Sequence, residues 1–327
     1  MKGKIARMSK ELEIVSYPHI KYCKVFMLSM NYRTPHMHRD FELILQLEGS
    51  LEIKLERENY ITHSPSLMLF NTNHIHEISL RSERSVLLVL QISPLFFSAI
   101  YPSLSKLIFD SVILHETLGE EDFNAILKLF IELGRQYFRK ENLYEFSFAI
   151  TLCDLFSRLI RLLPHHTLSE DQKKAEELKA GRLNRILSYI DENYSSKILL
   201  KDIAALENLS LYYLSHFFKK NINQNFQEYV NTLRFNQAKR LLIENKDMSM
   251  LDVCFQSGYS DYRYLQKAFA ERLGCTPAEY RRNSSAVDSD LTMSGSGSLS
   301  ERWWHADDSL KYLDDWVNAN KDRLDMG

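Results

Sequence analysis

The sequence predicts an α+β protein with an antiparallel β-barrel or jelly roll at the N-terminus, then a helical hairpin, then an all-α domain containing two helix-turn-helix units. Three observations support this fold class. Short strand-like runs separated by turn residues fill the first 95 residues. Two amphipathic helical patterns follow them. A short apolar helix, a tight turn and an amphipathic helix then occur twice, at 199–220 and 248–273.

The predicted strands are short, and one of them alternates clearly between apolar and charged residues. Residues 51–57 read LEIKLER, the period-two pattern of a half-buried strand. Glu48, Gly49 and Ser50 make a turn between this strand and the one before it. The other predicted strands cover 41–47, 67–70, 77–80 and 86–92.

The chain divides into five predicted regions. Two helices, at 120–140 and 142–163, form the predicted hairpin, which ends at Pro164. The polar segment that follows is predicted to be a linker, and a Ser/Gly-rich stretch over 284–300 is predicted to be a flexible one. The regions are a barrel at 1–95, a hairpin at 96–164, a linker at 165–181, a helix-turn-helix domain at 182–283 and a tail at 284–327.

Composition excludes some classes of protein. No run of the 327 residues is apolar enough for a membrane span, and the N-terminal segment lacks the pattern of a secretory signal. The four cysteines are scattered and indicate reduced thiols in a cytoplasmic protein. The net charge is −2, but residues 182–283 hold fifteen Lys and Arg against eleven Asp and Glu, a balance of +4. A mildly basic block fits contact with phosphate.

The first repeat separates into an inner and an outer face. Leu214 and Phe218 face inward on the second helix, with Ile203, Ala204 and Leu209 on the first helix and the turn, and Ser210 caps the second helix. The second helix of such a unit enters the major groove, where base edges can be distinguished. The predicted DNA-contacting residues of the first repeat are Leu211, Tyr212, Ser215, His216 and Lys219.

The second repeat has the same layout. Leu251, Val253 and Cys254 form its predicted inner set with Leu265 and Phe269, while Gly258 supplies the turn and Asp261 the cap. A single long helix over 226–244 joins the repeats and carries Arg234, a predicted phosphate contact. The predicted DNA-contacting residues of the second repeat are Tyr262, Arg263, Gln266 and Lys267.

These repeats resemble the DNA-binding domain of AraC/XylS transcription regulators over about a hundred residues. The sequence departs from the usual pattern at Asn223, Cys254, Leu265 and Ala270. The resemblance implies double-stranded DNA and a small-molecule effector as partners, with a sugar or related metabolite as the effector. It also implies a homodimer formed through the hairpin, transcriptional activation, and contact with RNA polymerase. The matching residues are Asp202–Ala204, Ser210, Tyr213–Ser215, Phe218, Lys219, Arg234, Ala238, Leu241, Leu242, Gly258–Asp261, Tyr264, Phe269, Gly274, Thr276, Pro277, Tyr280 and Arg281.

A second group of candidate functional residues lies in the predicted barrel. His36 and His38 are two apart, on one face of an extended strand, and Glu42 follows. With His76 they resemble the cupin pattern of HxH, a glutamate and a later histidine, and in metal-dependent cupins these four would be ligands. Three alternatives stay open: a polar effector pocket without metal, which we favour, a bound divalent metal, and purely structural histidines. The sequence therefore predicts effector contacts at these positions and neither a metal nor another cofactor.

The sequence thus predicts a DNA-binding transcription regulator that is not an enzyme. One alternative is a metal-dependent cupin enzyme joined to a DNA-binding module, and another is an architectural DNA binder without a ligand. The tail concentrates Trp303, Trp304 and Trp316 among aspartates. It is an amphipathic helix that docks on this protein or another, the start of a further domain, or an engineered fusion, and no function is assigned to it.

Overall fold

A computed structural model of the protein describes residues 17–55, 58–222, 224–245, 247–287 and 301–325. The N-terminal segment that is predicted to lack a secretory signal, residues 1–15, lies outside these ranges, as does Asn223. Most of the predicted Ser/Gly linker also lies outside them.

The N-terminal half is a sandwich of two antiparallel sheets, as predicted. One sheet has the order β11-β1-β8-β3-β6 and the other β2-β7-β4-β5, where β11 comes from the tail, at Glu301–Trp303. The remaining strands are β1 (Cys23–Met30), β2 (Tyr32–His36), β3 (Phe41–Glu48), β4 (Ser50–Leu55), β5 (Glu58–His63), β6 (Ser66–Phe70), β7 (His76–Leu80) and β8 (Val86–Ile92).

The larger sheet is buried on both faces. Leu43 and Leu45 of β3 pack in one apolar cluster with the helices that follow, while Ile44 belongs to the cluster inside the sandwich. Strands β1, β3 and β8 therefore read as nearly continuous apolar runs instead of alternating ones. By contrast, β4 buries every second residue, as its sequence predicts.

A helical layer covers the outer face of this sheet. After two 3₁₀ turns, at Pro94–Phe97 and Pro102–Lys106, come strand β9 (Leu107–Phe109) and helix α1 (Leu114–Thr117). The predicted hairpin is formed by α2 (Glu120–Arg139) and α3 (Tyr144–Leu162). A Cβ at Gly134 of α2 would lie 3.0 Å from Leu88 Cδ2. This glycine therefore lets the helix pack closely on the sheet.

The segment predicted as a linker, 165–181, forms regular secondary structure. His165–Thr167 forms β10, which pairs with β9, and helix α4 then runs from Glu170 to Asn193 without a break at 182. Ser169 and Gln172 form a capping box at its start, because each side chain bonds the backbone N–H of the other residue. The second half of α4 belongs to the core of the helical domain.

The C-terminal domain holds two helix-turn-helix units around two separate apolar cores. The linking helix has the predicted bounds and contributes to both cores, Tyr229 and Val230 to the first and Ala238 and Leu242 to the second. The domain extends past the predicted end at 283, because its last helix continues to Val287. The helices are α5 (Leu200–Leu206), α6 (Leu211–Ile222), α7 (Phe226–Glu244), α8 (Met250–Gln256), α9 (Tyr262–Leu273) and α10 (Pro277–Val287).

The tail docks on the barrel of its own chain, the first of the three alternatives. Strand β11 pairs with β1. Helix α11 (Ala306–Ala319) packs on α2, and α12 (Lys321–Asp325) follows it. Leu313 is fully buried in the cluster that α2 and α3 share with the larger sheet. Within the described ranges, no helix is both long enough and apolar enough to cross a membrane.

Candidate nucleic-acid interface and buried histidine cluster

Helix α6 presents the predicted outer face of the first unit. Ser210 Oγ accepts from the backbone N–H of Tyr213 and so caps the helix. Leu214 and Phe218 are completely buried, which fixes the rotation of α6 about its axis. The structure accordingly brings the predicted contact residues to one exposed surface, and these are Leu211, Tyr212, Ser215, His216 and Lys219.

Helix α9 presents the corresponding face of the second unit with one correction. Arg263, Gln266 and Lys267 are exposed, as predicted. Tyr262 is half-buried and packs on the second core, so its assignment to the outer face is wrong. Tyr264, at 59% exposure, points outward and was missed. It lies three residues before Lys267, the spacing of neighbours on one helical face.

Arg263 is held at the start of α9 by its own helix cap. Asp261 accepts from the backbone N–H of Arg263 and from its guanidinium, with Nη2 2.7 Å from Oδ2. These bonds lower the pKa of the Asp261 carboxyl to about 2. The Asp261 carboxylate thus occupies the Nε and Nη2 side of the Arg263 guanidinium and orients it, while Nη1 is outside this pair.

Arg234, the predicted phosphate contact on α7, makes two hydrogen bonds within the domain. Its Nε donates to the carbonyl oxygen of Tyr194 at 2.8 Å, and its Nη2 donates to that of Ser196 at 2.9 Å. The guanidinium thus fastens α7 to the segment after α4, and two of its donor groups are engaged there. The prediction that Leu251 lies inside is wrong, since 56% of this residue is exposed, whereas Val253 and Cys254 are buried.

The four barrel residues come together at one end of the sandwich, and we call them the histidine cluster: His36, His38, Glu42 and His76. His36 and His76 pair across β2 and β7, while Glu42 lies on β3 in the other sheet. All four are buried, and one ligand atom from each lies within 4.8 Å of all the others. His74, two residues before His76 in the sequence, is less buried than His76 and does not belong to the cluster.

The three imidazoles of the histidine cluster are oriented in the same way. Each ring has its Nδ1 close to a backbone carbonyl oxygen two residues away. The partners are Thr34 for His36 at 2.9 Å, Asp40 for His38 at 2.8 Å, and His74 for His76 at 3.0 Å. A carbonyl oxygen only accepts, so Nδ1 carries the hydrogen. In a neutral ring, Nε2 is then left with its lone pair.

Glu42 faces these nitrogens with one carboxylate oxygen. Oε2 lies 2.9 Å from His76 Nε2 and 3.4 Å from His38 Nε2, while Oε1 accepts from Gln91 Nε2 at 2.9 Å. Burial alone raises the pKa of Glu42, but His38 and His76 outweigh it and hold the pKa well below its usual range. Burial and the neighbouring His76 hold the pKa of His36 well below its ordinary value.

The residues between the histidines point to the other side of the strands. Met37, between His36 and His38, and Ile75, next to His76, are buried in the apolar core of the first helix-turn-helix unit. Nearby, Gln224 Nε2 donates to Glu77 Oε2 at 3.1 Å across the same boundary. The wall of the histidine cluster is therefore also the contact surface for the DNA-binding domain.

The space inside the sandwich is mostly filled by apolar side chains. Phe26, Ile53, Met68 and Phe70 belong to this interior cluster. A cleft of about 530 Å³ lies elsewhere, between α2, α3 and the tail, and is lined by apolar residues, three basic residues and Glu132. Arg135, one of the basic residues, is paired with Asp314 at 2.7 Å.

Comparison with known families decides the identity of both halves. The family described as "AraC-like ligand binding domain" matches residues 23–187, and the one described as "Helix-turn-helix domain" matches residues 203–283. The chain belongs to the AraC family of transcription regulators. An AraC-family protein of this kind is a regulator, so the alternative of a metal-dependent enzyme is wrong.

Three relatives illustrate how the similarity is distributed. The uncharacterized HTH-type transcriptional regulator YdeC of Bacillus subtilis is 24% identical over 76% of this chain and 86% of its own length. The HTH-type transcriptional activator RhaS of Klebsiella pneumoniae is 27% identical over 41% of this chain and 46% of its own. The raffinose operon transcriptional regulatory protein RafR of Pediococcus pentosaceus is 31% identical over 39% and 44%. The last two similarities span less than half of those relatives.

Proposed function

We propose that this AraC-family regulator reads two successive stretches of one DNA major groove with α6 and α9. The observation that carries the proposal is the repeated arrangement of a capped second helix with a buried inner face and an exposed polar outer face. Gln266 and Arg263 have the side chains suited to adenine and guanine, and Lys219 and Lys267 suit phosphate. His216, Tyr212 and Tyr264 complete the outer faces.

The length of α7 supports simultaneous contact by both units. Its 19 residues span about 28 Å, and successive major-groove faces of one DNA duplex repeat about every 34 Å. Because α7 contributes to both apolar cores, it fixes the separation of α6 and α9. The target site should therefore consist of two short conserved blocks about one helical turn apart.

The effector proposed for the N-terminal half is a small molecule or ion bound at the histidine cluster. Support comes from the burial of its four polar residues and from its position against the DNA-binding domain. A sugar as effector and activation as output rest on the names of relatives such as RafR and RhaS. Both are part of the proposal, together with contact to RNA polymerase and a cytoplasmic location.

A homodimer formed through α3 also belongs to this proposal. Phe146 and Ile150 are four residues apart on one face of α3 and are 71% and 72% exposed. Leu143 extends the same apolar surface. Such an exposed apolar surface is unusual on a helix that otherwise packs on α2. A second copy of the chain would cover it.

The deciding experiment is selection of genomic DNA fragments by the purified full chain at physiological salt. Low salt would let phosphate contacts dominate. We expect a few fragments sharing a two-block motif. Uniform retention at this salt, or none in the presence and absence of pooled sugars and divalent metals, contradicts sequence-specific binding.

Variants then test the assigned contacts on the selected motif. Gln266→Ala should weaken binding to the motif and relax preference at one position of it, by about 1–3 kcal/mol for a lost base contact. Lys311→Ala, an exposed lysine on α11, is the control and should leave affinity unchanged. If Gln266→Ala and Lys311→Ala bind the motif with the same affinity and the same base preference, Gln266 does not contact the DNA.

A further inference from the structure

We infer that the first helix-turn-helix unit recognises thymine by contact with its methyl group, and that Tyr212 makes this contact. The two blocks of the target site then differ in chemistry. A block containing thymine lies against α6, and a block read by hydrogen bonds lies against α9. The inference deepens the proposed function by naming the base that one helix reads, and it rests on that function for the placement of α6 in the groove.

The two recognition helices can be compared position by position from their caps. The cap is Ser210 in α6 and Asp261 in α9. Each helix buries a leucine four positions after its cap and a phenylalanine eight positions after it, and all four side chains are completely buried. Because the inner faces match in this way, the outer faces also consist of equivalent positions.

These equivalent outer positions carry different chemistry. Two positions after the cap, α9 has Arg263 where α6 has Tyr212, and five positions after it α9 has Gln266 where α6 has Ser215. Arginine and glutamine form paired hydrogen bonds to guanine and adenine, whereas a serine hydroxyl bonds to donors and acceptors alike. Over its whole length, which the structure describes, α6 exposes no Arg, Asn or Gln. The first unit therefore needs another means of discrimination.

The ring of Tyr212 supplies an apolar means. This side chain is 75% exposed, the most exposed aromatic residue of α6. Its ring packs against the imidazole of His216 one turn later, with the ring centroids 4.5 Å apart. The contact restrains the tyrosine, so less side-chain entropy is lost when a base is bound. In the major groove, the apolar group among the hydrogen-bonding groups is the thymine C5-methyl.

The start of α6 is a continuous apolar surface. Leu211, Tyr212 and Tyr213 follow one another and are 51%, 75% and 46% exposed. Contiguous exposed apolar side chains mark a site of contact. We assign the major groove as the occupant because the equivalent face of α9 carries base-reading side chains. Lys219, exposed on the last turn of α6, is suited to the flanking phosphate.

The first experiment replaces single thymines of the selected motif by uracil, which lacks the methyl group but keeps every hydrogen-bonding group. Gln266→Ala identifies the α9 block by its relaxed preference, so the other block belongs to α6. At one or more thymines of the α6 block, uracil should lower the affinity of the full-length chain about 4-fold, the effect of burying one methyl-sized group. Uracil in the α9 block should change affinity less than ~2-fold.

The outcomes separate the inference from the proposed function. An α6 block without thymine, or equal affinity for thymine and uracil throughout that block, overturns the inference, while selection of a two-block motif still supports the proposed function. A chain that selects no motif contradicts the proposed function and this inference with it.

The second experiment assigns the methyl contact to Tyr212. Tyr212→Ala should weaken binding to the thymine motif and abolish the difference between thymine and uracil. Tyr212→Phe, which loses only the hydroxyl, should keep the difference. Tyr264→Ala removes a tyrosine that is 59% exposed on α9, and this matched control should also keep it. If Tyr212→Ala binds both duplexes as the unaltered chain does, the assignment is overturned and the apolar start of α6 serves contact with another protein.

Discussion

At the scale of residues, the two halves of the DNA-binding domain meet at a single crowded point. The turn after α8 contains Gly258, whose φ is +90°, and a Cβ there would lie 2.8 Å from the Tyr194 carbonyl oxygen and from Ser195 Cα. Arg234 binds the same Tyr194 oxygen and also lies 3.0 Å from that Cβ position. The end of α4, the middle of α7 and the second unit are thereby locked together.

Gly258→Ala should destabilise this point. A left-handed backbone conformation costs a residue with a Cβ about 1–2 kcal/mol, and the collision with backbone atoms adds to this. Urea unfolding followed by circular dichroism measures the loss. Gly119→Ala is the matched control, since nothing lies within 4 Å of its Cβ position, and should change stability by less than ~0.5 kcal/mol. Equal stability of the two variants would contradict the crowding.

Substitutions of Arg234 and Lys219 should have different effects on the stability of the domain and on its contact with phosphate. Arg234→Lys loses the two-carbonyl geometry and should lower the free energy of unfolding by about 1–3 kcal/mol, with the salt dependence of DNA binding unchanged. Lys219→Ala should leave stability unchanged and reduce the slope of log K against log salt by about one. An unchanged free energy of unfolding together with a reduced salt dependence in Arg234→Lys would indicate that Arg234 contacts phosphate.

The sequence correctly predicted which residues are exposed on α6 and on most of α9, and it failed where two aromatic residues compete for the exposed face. Leu214 and Phe218, or Leu265 and Phe269, fix the inner face because each pair is four residues apart. Tyr262 stands at the helix start, where side-chain direction depends on the cap, so periodicity alone could not distinguish it from Tyr264. The bonds of Arg234 depend on carbonyl groups forty residues away in the sequence.

At the scale of elements, patterns that depend only on local chemistry predicted well. The alternation of β4 and the apolar spacing of α2 and α3 predicted the bounds of these elements to within two residues. Strand β1 was missed because both of its faces are covered and its residues do not alternate. The capping box at the start of α4 is present in the sequence. The helix start was nevertheless missed, because the surrounding charged residues gave the segment the composition of a linker.

The exposed face of α3 should decide the oligomeric state. Phe146→Glu adds a charge to the middle of the apolar surface, so a dimer formed there should dissociate, as measured by sedimentation velocity. Stability of the fold should change little, because Phe146 is 71% exposed. Ile61→Glu, with a similarly exposed apolar residue on β5, is the matched control and should leave the dimer intact. A chain that is monomeric without substitution, or an unaltered dimer in Phe146→Glu, contradicts this interface.

At the scale of the whole molecule, the C-terminal tail returns to the N-terminal barrel. Its strand pairs with β1, Tyr312 OH donates to Glu48 Oε2 at 3.0 Å, and Asp314 pairs with Arg135. The sequence predicted an amphipathic helix but not its partner, because an apolar face does not specify which surface covers it. The complementary surface is distributed over β1, β3 and α2, far away in the chain.

Leu313→Ala should therefore behave as a core substitution of the barrel. The side chain is fully buried against α2 and the sheet, and its truncation should lower the free energy of unfolding by about 2–5 kcal/mol. Circular dichroism during urea unfolding measures it, and Lys311→Ala, exposed on the same helix, should change stability by less than ~0.5 kcal/mol. A loss for Leu313→Ala no larger than that of the control would mean that the tail does not pack on the barrel.

The docked tail also gives the protein an optical reporter. The three tryptophans of the chain are Trp303, Trp304 and Trp316, so indole emission comes from this one segment. The Trp304 N–H donates to Ser29 Oγ, and that of Trp316 donates to the Leu47 carbonyl oxygen. Release of the segment would move the rings into water and shift their emission to the red, even with both helical units intact. Fluorescence and circular dichroism recorded on the same sample would thus follow detachment and global unfolding separately, without any added dye.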